Sequence, residues 1–338
     1  MAITDITTRT SADTNASADI NTLNTNDQVL AEEAPTGFKN LVIDGDFNHW
    51  NGGTSISADG YGATDMWGLD LSGATGSLSQ QASSPSTTSK PYFLRLASTV
   101  ANADTNVYTR LDGNVLSGKS LSIFIEAKYT TTAPTGLKVE ILSDTTQRGI
   151  SGAVTGLTTG FTWVRKDVTV TASTATYTAV RLIDEVSETF DIDINKIRVI
   201  ETPDNLPADV IPEWVKQDED ALETLPLVQS YYQRITGNTP TMPTQGRGGS
   251  TEYIDQTVCT GVTMVQVPTV TLTSVNTIMN ISGGAGIALS GSETIASERL
   301  NGNYVTFRLT DSGKFSTNGT YGVLLTNSSD YIEIDSRY

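Results

Sequence analysis

Between residues 121 and 200 the chain repeats one pattern: short runs in which apolar and polar side chains alternate, separated by turn-forming residues. LSIFIEAKY (121–129), LKVEIL (137–142), WVRKDVTV (163–170), YTAVRLI (177–183) and FDIDINKIRVI (190–200) all follow it. A period of two sends successive side chains to opposite faces of a pleated strand, so each run has one face to bury and one to leave wet. Breakers such as Ala133-Pro134-Thr135-Gly136 part the runs at a spacing that suits antiparallel strands. In FDIDINKIRV the alternation assigns Phe190, Ile192, Ile194 and Lys196 to one face and Asp191, Asp193 and Asn195 to the other. The prediction is an all-β protein with a jelly-roll β-sandwich over residues 37–203.

The pattern pauses at residues 204–236, a connector stiffened by Pro207 and Pro212 just after Pro203. Leu225, Val228, Tyr232 and Ile235 follow at helical spacing and predict a short helix, with Thr224 as N-cap and Pro226 in the first turn. Residues 237–338 return to β character and form a second, C-terminal β domain. Its strands are expected near TVCTGVTMVQV (257–267), TVTLTSV (269–275), YVTFRLT (304–310), YGVLLT (321–326) and YIEID (331–335). ISGGAGIALSGS (281–292) is glycine-rich but has no lysine at the position a phosphate-binding loop needs, so it reads as a hairpin or surface loop. Cys259, the lone cysteine, lies among valines and is expected to fill a core.

Residues 1–36 stand apart, rich in Thr, Asp and Asn and closed by the breaker run that begins at Ala34-Pro35. Ala16, Ile20, Leu23, Asp27, Leu30 and Ala34 recur at alternating spacings of four and three. That is a short heptad seam, with Ile20, Leu23 and Leu30 as its candidate oligomerisation residues. So brief a helix is marginal alone and needs partner chains or a docking surface; the other reading is a disordered polar arm.

Whole classes of chemistry lack the residues they require. With one histidine and one cysteine, neither a zinc site of the usual His and Cys ligands nor an HExxH helix can be assembled within one chain. No G-x-S-x-G elbow accompanies His49, which is expected to pack or hydrogen-bond beside Trp50. The net charge of −17 and the lack of any Lys/Arg cluster argue against a nucleic-acid partner. No stretch approaches the ~20 apolar residues of a membrane-spanning helix, and the N-terminus MAITDITTRT lacks a signal peptide's apolar core. Synthesis in a cytoplasm without membrane insertion is the expectation.

The aromatic residues near loops carry the most content for binding. A sugar ring presents C–H groups to the electron-rich face of an aromatic ring, and Trp50, Tyr61, Trp67, Tyr92, Tyr108 and Tyr129 could serve. Trp67 lies in a strand-like run, TDMWGLDL, and is expected in the core. Tyr61 and Tyr108 are the candidate carbohydrate-binding residues.

Four phrases, in order, resemble tailed-bacteriophage virion fibre and appendage proteins that carry a carbohydrate-binding-module-like jelly roll. They are NLVIDGDFNHWNGG with YGATDMWGLDLSG, then LPLVQSYYQRI, then MVQVPTVTLTS, then the closing SDYIEIDSRY. The resemblance implies a non-enzymatic virion structural protein, often a homotrimer, held to other virion proteins through its N-terminal segment. Its implied role is that of a tail or head fibre attaching to host-surface polysaccharide, with avidity multiplied by the oligomer. The alternatives are a capsid- or tail-decorating protein that binds other virion proteins and, behind it, a polysaccharide depolymerase. Modules of this type also hold a structural calcium ion where the opening phrase meets an acidic strand. The matching positions are Asp46, Asn48, Asp191 and Asp193, oxygen donors of the kind Ca2+ takes. On this reading NLVIDGDFNHW is the first strand, with Leu41 and Ile43 inward and Phe47 and Trp50 closing the sandwich edge.

Overall fold

A computed structural model describes residues 40–83, 91–99, 105–111, 118–143, 146–171, 178–186, 188–203, 206–208, 210–218, 221–236, 243–248, 253–262, 264, 266–275, 277–281, 285–289, 294–310, 315, 320–325 and 330–337. The chain forms two compact units: one runs to Asn48 and resumes over Thr54–Glu219, the other takes His49–Gly53 with Asp220–Tyr338. The 204–236 connector is therefore shared between them. The seam residues Ile20, Leu23 and Leu30 lie outside the described residues.

In the first unit the strands are β1 (Ser55–Ile56), β2 (Gly60–Tyr61), β3 (Gly68–Asp70), β4 (Gly76–Ala82), β5 (Tyr92–Ser98) and β6 (Asn106–Arg110). They continue with β7 (Ser120–Tyr129), β8 (Leu137–Ser143), β9 (Thr146–Ile150), β10 (Thr162–Thr169), β11 (Thr178–Asp184) and β12 (Phe190–Glu201). One six-stranded sheet has the order β1-β4-β5-β12-β7-β10 and the other β2-β3-β6-β11-β8-β9, all neighbours antiparallel. From β4 to β12 the chain passes repeatedly from one sheet to the other, the winding of a jelly roll. The sheets bury their inner faces as a core of Leu78, Leu96, Ile123 and Ile192 from one and Leu69, Val107, Val139 and Leu182 from the other. Trp67 is buried, as expected.

The alternation in FDIDINKIRVI does not survive intact. A register shift between Ile194 and Lys196 inserts Asn195 as a bulge, after which Lys196 pairs with Glu126 and Ile197 with Ile125. One extra residue flips the parity of everything beyond it. Lys196 therefore leaves the face of Ile192 and Ile194, and Ile197 and Val199 take over the core side.

The opening phrase is a brace rather than a strand. Only Val42 makes a β-bridge, to Leu111, and Asp44 and Phe47 have φ of 55° and 54°, which no strand accommodates. Asn40 Oδ1 accepts the amides of Val42 (3.2 Å) and Val199 (3.0 Å), and Ile197 donates to the Gly45 carbonyl at 2.8 Å. Gly45 fits this close approach because a Cβ there would lie 2.1 Å from the Ile197 carbonyl oxygen. Val42, Ile43 and Phe47 are buried, Phe47 packing against Trp67 with ring centroids 5.3 Å apart.

The outer face of the β12-bearing sheet is covered in part by its own connector. Phe124, Ile200 and Val215 form a buried cluster to which Trp163, Leu206, Ile211 and Trp214 contribute. Val215 comes from a single helical turn, α1 (Glu213–Lys216). The other sheet's outer face is the polar one on which Tyr61 and Tyr108 stand.

The second unit contains α2 (Ala221–Tyr231), β13 (Tyr232–Thr236), β14 (Thr244–Gly248), β15 (Tyr253–Cys259), β16 (Thr269–Thr273) and β17 (Thr277–Asn280). The remaining strands are β18 (Ala285–Ala288), β19 (Thr294–Asn301), β20 (Tyr304–Thr310), β21 (Thr320–Val323) and β22 (Tyr331–Asp335). A three-stranded sheet, β13-β22-β16, and a seven-stranded sheet, β18-β17-β21-β14-β15-β20-β19, supply one buried cluster that joins Val270, Ile332 and Ile334 to Val258, Val305 and Phe307. β17 and β18 pair antiparallel, so Ala285–Ala288 of the glycine-rich run lies in a strand; residues 282–284 and 290–292 of that run lie outside the described residues.

Two expectations in this unit change. The helix begins at Ala221, so Thr224 lies inside it and caps nothing; its Oγ1 instead meets His49 Nε2 at 3.0 Å. Pro226, which cannot supply a helix-interior amide, stands within the helix, and Tyr232 and Ile235 belong to β13. Cys259 is exposed, not core, because β15 alternates and Val258 takes the inward place. Among the described residues no helix is long and apolar enough to cross a membrane.

Candidate functional site

Across the second sheet of the jelly roll, antiparallel register lines up one row of side chains: Tyr61 opposite Gly68, Gly68 opposite Tyr108, Tyr108 opposite Arg181, and Arg181 opposite Glu140. Leu69, Val107 and Leu182, their chain neighbours, are fully buried, so the row lies on the outer face. The next row adds Asp70 opposite Asn106. Cross-strand pairing thus gathers residues that the sequence separates by more than a hundred positions.

Tyr61 and Tyr108 are brought together, with ring centroids 5.5 Å apart at 67°. Edge-to-face packing satisfies the ring quadrupoles and fixes both rings. Both tyrosines remain partly exposed.

Beside the rings Arg181 organises the polar groups. Its Nε donates to Glu140 Oε2 at 2.6 Å and its Nη1 to Asp70 Oδ2 at 3.0 Å. Asp70 also accepts from Asn106 Nδ2 at 3.4 Å and, through Oδ1, from the Ser72 amide and hydroxyl at 3.2 Å each. Glu140 is 4% exposed at its side chain, Arg181 19% and Asp70 34%, so the network opens to solvent at its Asp70 end. Asn106 Oδ1 is buried and has no hydrogen-bond partner among the described residues. The face therefore combines fixed aromatic rings with a guanidinium shared between two carboxylates.

The four calcium candidates are not gathered in this way. Asp46 is paired with Arg198, whose guanidinium also donates to the Gln217 carbonyl at 2.9 Å. Asp193 takes a two-point bond from Arg95, at 2.6 and 3.0 Å, with Lys128 at 3.5 Å. The hydrogen bond from Arg95 to Asp193 raises the arginine's pKa above its ordinary value. Asn48 donates its backbone N–H to Asp44 Oδ1 at 2.7 Å, and Asp191 lies partly exposed on β12. Among the described residues no group of three or more His, Cys, Asp or Glu side chains is placed to hold a metal ion.

No protein-family model matches the chain, and no curated protein matches it. Solved structures of similar fold include the CBM22-1 xylan-binding domain of Paenibacillus barcinonensis Xyn10C, at 10% identity and a TM-score of 0.33, covering 50% of this chain and 97% of that one. A family 11 carbohydrate-binding module from a Clostridium thermocellum cellulosomal cellulase matches at 10% identity and a TM-score of 0.30, again over 50% and 97%. The CBM22-1-CBM22-2 tandem of Xyn10C covers 90% of this chain and 97% of its own, at 11% identity and a TM-score of 0.32.

Of the site, Gly68, Asp70, Asn106, Glu140 and Arg181 escaped sequence reasoning. A usable signal existed for Arg181, a charge on an outward position of the alternating run YTAVRLI. Its partners are set by register, which the sequence does not print.

Proposed function

We propose that the jelly-roll unit is a non-catalytic glycan-binding module whose site is the outer face of β2, β3, β6, β11 and β8. The observation that carries this reading is the locked Tyr61–Tyr108 ring pair standing in one row with Arg181. An aromatic face accepts the C–H side of a sugar ring, while the Asp70 carboxylate and the Arg181 guanidinium, held by one another, meet its hydroxyls without reordering on binding. Both carboxylates near the rings are committed to Arg181, which suits recognition better than proton transfer. The test is a glycan array probed with the wild-type protein and Tyr108→Ala. Selective binding lost in the variant supports the site; binding that survives it moves the site elsewhere.

The wider role we infer is attachment: a homotrimeric bacteriophage virion fibre that binds host-surface polysaccharide and is held on the particle by its N-terminal segment. Its support is the ordered set of four sequence landmarks. Light scattering of the full chain should give three times the 36.0 kDa monomer mass, and removal of residues 1–36 should abolish either trimerisation or particle binding. A monomer at all concentrations would end the fibre reading and leave the glycan module standing.

A further inference from the structure

The second unit carries an open hollow on its surface, of about 630 Å3, whose lining includes Pro243, Gln245, Thr257, Cys259, Tyr304 and Thr320. Small-molecule sites span ~300–1,000 Å3. The strands explain its position. Val258 and Val305 are buried, so their neighbours Thr257, Cys259 and Tyr304 project from the opposite face of the seven-stranded sheet. Cys259 pairs across from Tyr304 and Thr257 from Gln245, which places a phenol ring, a thiol, an amide and a hydroxyl around one opening.

The chemistry of the lining narrows the ligand. Tyr304 is 53% exposed, a large aromatic surface left in water on a strand. None of these six side chains carries a fixed charge, so phosphate, carboxylate and ammonium ligands find no counter-charge among them. Gln245, Thr257 and Thr320 offer both donors and acceptors, and Thr257 Oγ1 already meets Thr306 Oγ1 at 3.1 Å. A flat aromatic ring beside uncharged hydroxyl and amide groups suits a neutral, hydroxyl-rich ring.

We propose that this face is a second saccharide-binding site, which takes a neutral sugar stacked on Tyr304 and hydrogen-bonded by Gln245, Thr257 and Thr320. It shares no residue with the Tyr61–Tyr108 face and does not depend on it.

Cys259 supplies the readout, since it is the chain's only cysteine, is exposed, and lines the hollow. Its rate of reaction with dithiobis-nitrobenzoate is followed in the full chain while cellobiose, lactose or diacetylchitobiose is titrated in. At least one of the three should slow the reaction severalfold in a saturable manner. Tyr304→Ala should abolish that protection, Tyr304→Phe should keep it, and Tyr108→Ala should leave it unchanged. Both residues are partly or largely exposed, so these variants are expected to fold. A rate indifferent to all three sugars overturns the proposal, as does protection that persists in Tyr304→Ala. Protection lost in Tyr108→Ala would assign the sugar to the first site alone. A rate that falls with protein concentration, without sugar, would assign the face to a second copy of the chain and overturn the proposal too.

Discussion

The ring of Tyr108 occupies the space that a side chain at Gly68 would need: a Cβ on Gly68 would come within 2.5 Å of the ring's Cζ. Gly68 and Tyr108 are cross-strand partners, so the missing side chain of one makes the bed for the other. Gly68→Ala should therefore displace the ring without breaking the sheet, because its backbone is not in the left-handed region. Glycan affinity should fall about tenfold, which corresponds to ~1.4 kcal/mol, with a melting temperature close to wild type. Titration calorimetry against the best array glycan, together with a thermal melt, measures both. Unchanged affinity would show that Gly68 does not set the ring.

Arg181 reaches Glu140 and Asp70 at once, a geometry that depends on a planar fork of donors. Lysine keeps the charge but concentrates it at one point. Arg181→Lys should retain the fold and weaken glycan binding. Arg181→Met should also cost about 3–5 kcal/mol of stability, because it strands the buried Glu140 carboxylate. Denaturant unfolding of both variants separates the effects: a lysine variant as stable as wild type would mean that charge alone suffices here, whereas equal losses in both would mean that the forked geometry, not the charge, carries the interaction.

The strands that sequence reasoning located best are those that alternate strictly and end at turn residues. The five runs of the jelly roll appear as β7, β8, β10, β11 and β12 with ends moved by a residue or so. The expectation failed where one residue changes the rule locally. Asn195 continues the polar phase of the alternation, so its residue type does not mark the bulge that reverses the facing of Lys196 and all that follows. NLVI is apolar enough to read as a strand, but the chain turns at Asp44 and Phe47 with positive φ, where the Asp44 carbonyl accepts from Trp67 Nε1 and Asp46 pairs with Arg198. At Leu225–Ile235 a helical spacing continues past the helix, because Tyr232 and Ile235 also pair well opposite Asp335 and Ile332 in β22. The tyrosines of the candidate site were visible as residue types. Their company was not, since Asp70 and Arg181 meet only through the order of strands in the sheet.

Asp46 and Arg198, 0% and 4% exposed at their side chains, form an ion pair out of reach of solvent. Removing one partner leaves a buried charge, so Asp46→Ala should cost about 3–5 kcal/mol in urea unfolding, whereas the double variant Asp46→Leu/Arg198→Met should recover part of that loss. The pair also bears on metal content. Arginines already supply the positive charge to Asp46 and Asp193, so the melting temperature is expected to be the same in excess calcium and in chelator. A chelator-induced drop would show that an ion is bound, at these positions or elsewhere in the chain.

Arg165 should hold the connector onto the jelly roll. Its side chain is 4% exposed, stacks 5.6 Å from the Phe124 ring centroid, and donates to Asp167 at 2.9 Å and Ser122 at 3.1 Å. Its Nη1 bonds the carbonyls of Pro207 and Val210, both in the proline-bearing connector. Prolines supply no amides, so this stretch cannot complete a sheet of its own and depends on carbonyl acceptors being met from outside. Arg165→Ala removes those donors from the face that Val215 and Trp214 cover. The expected cost is about 2–3 kcal/mol, since hydrogen bonds from a charged donor are worth ~1.5–3 kcal/mol each and water replaces part of them. Limited proteolysis should then cut near residues 203–217, and tryptophan emission should shift to the red as Trp214 and Trp163 gain water. Arg165→Lys, able to reach one carbonyl, should fall between. Wild-type proteolysis and emission in Arg165→Ala would mean that the apolar cluster of Phe124, Ile200 and Val215 holds the connector unaided.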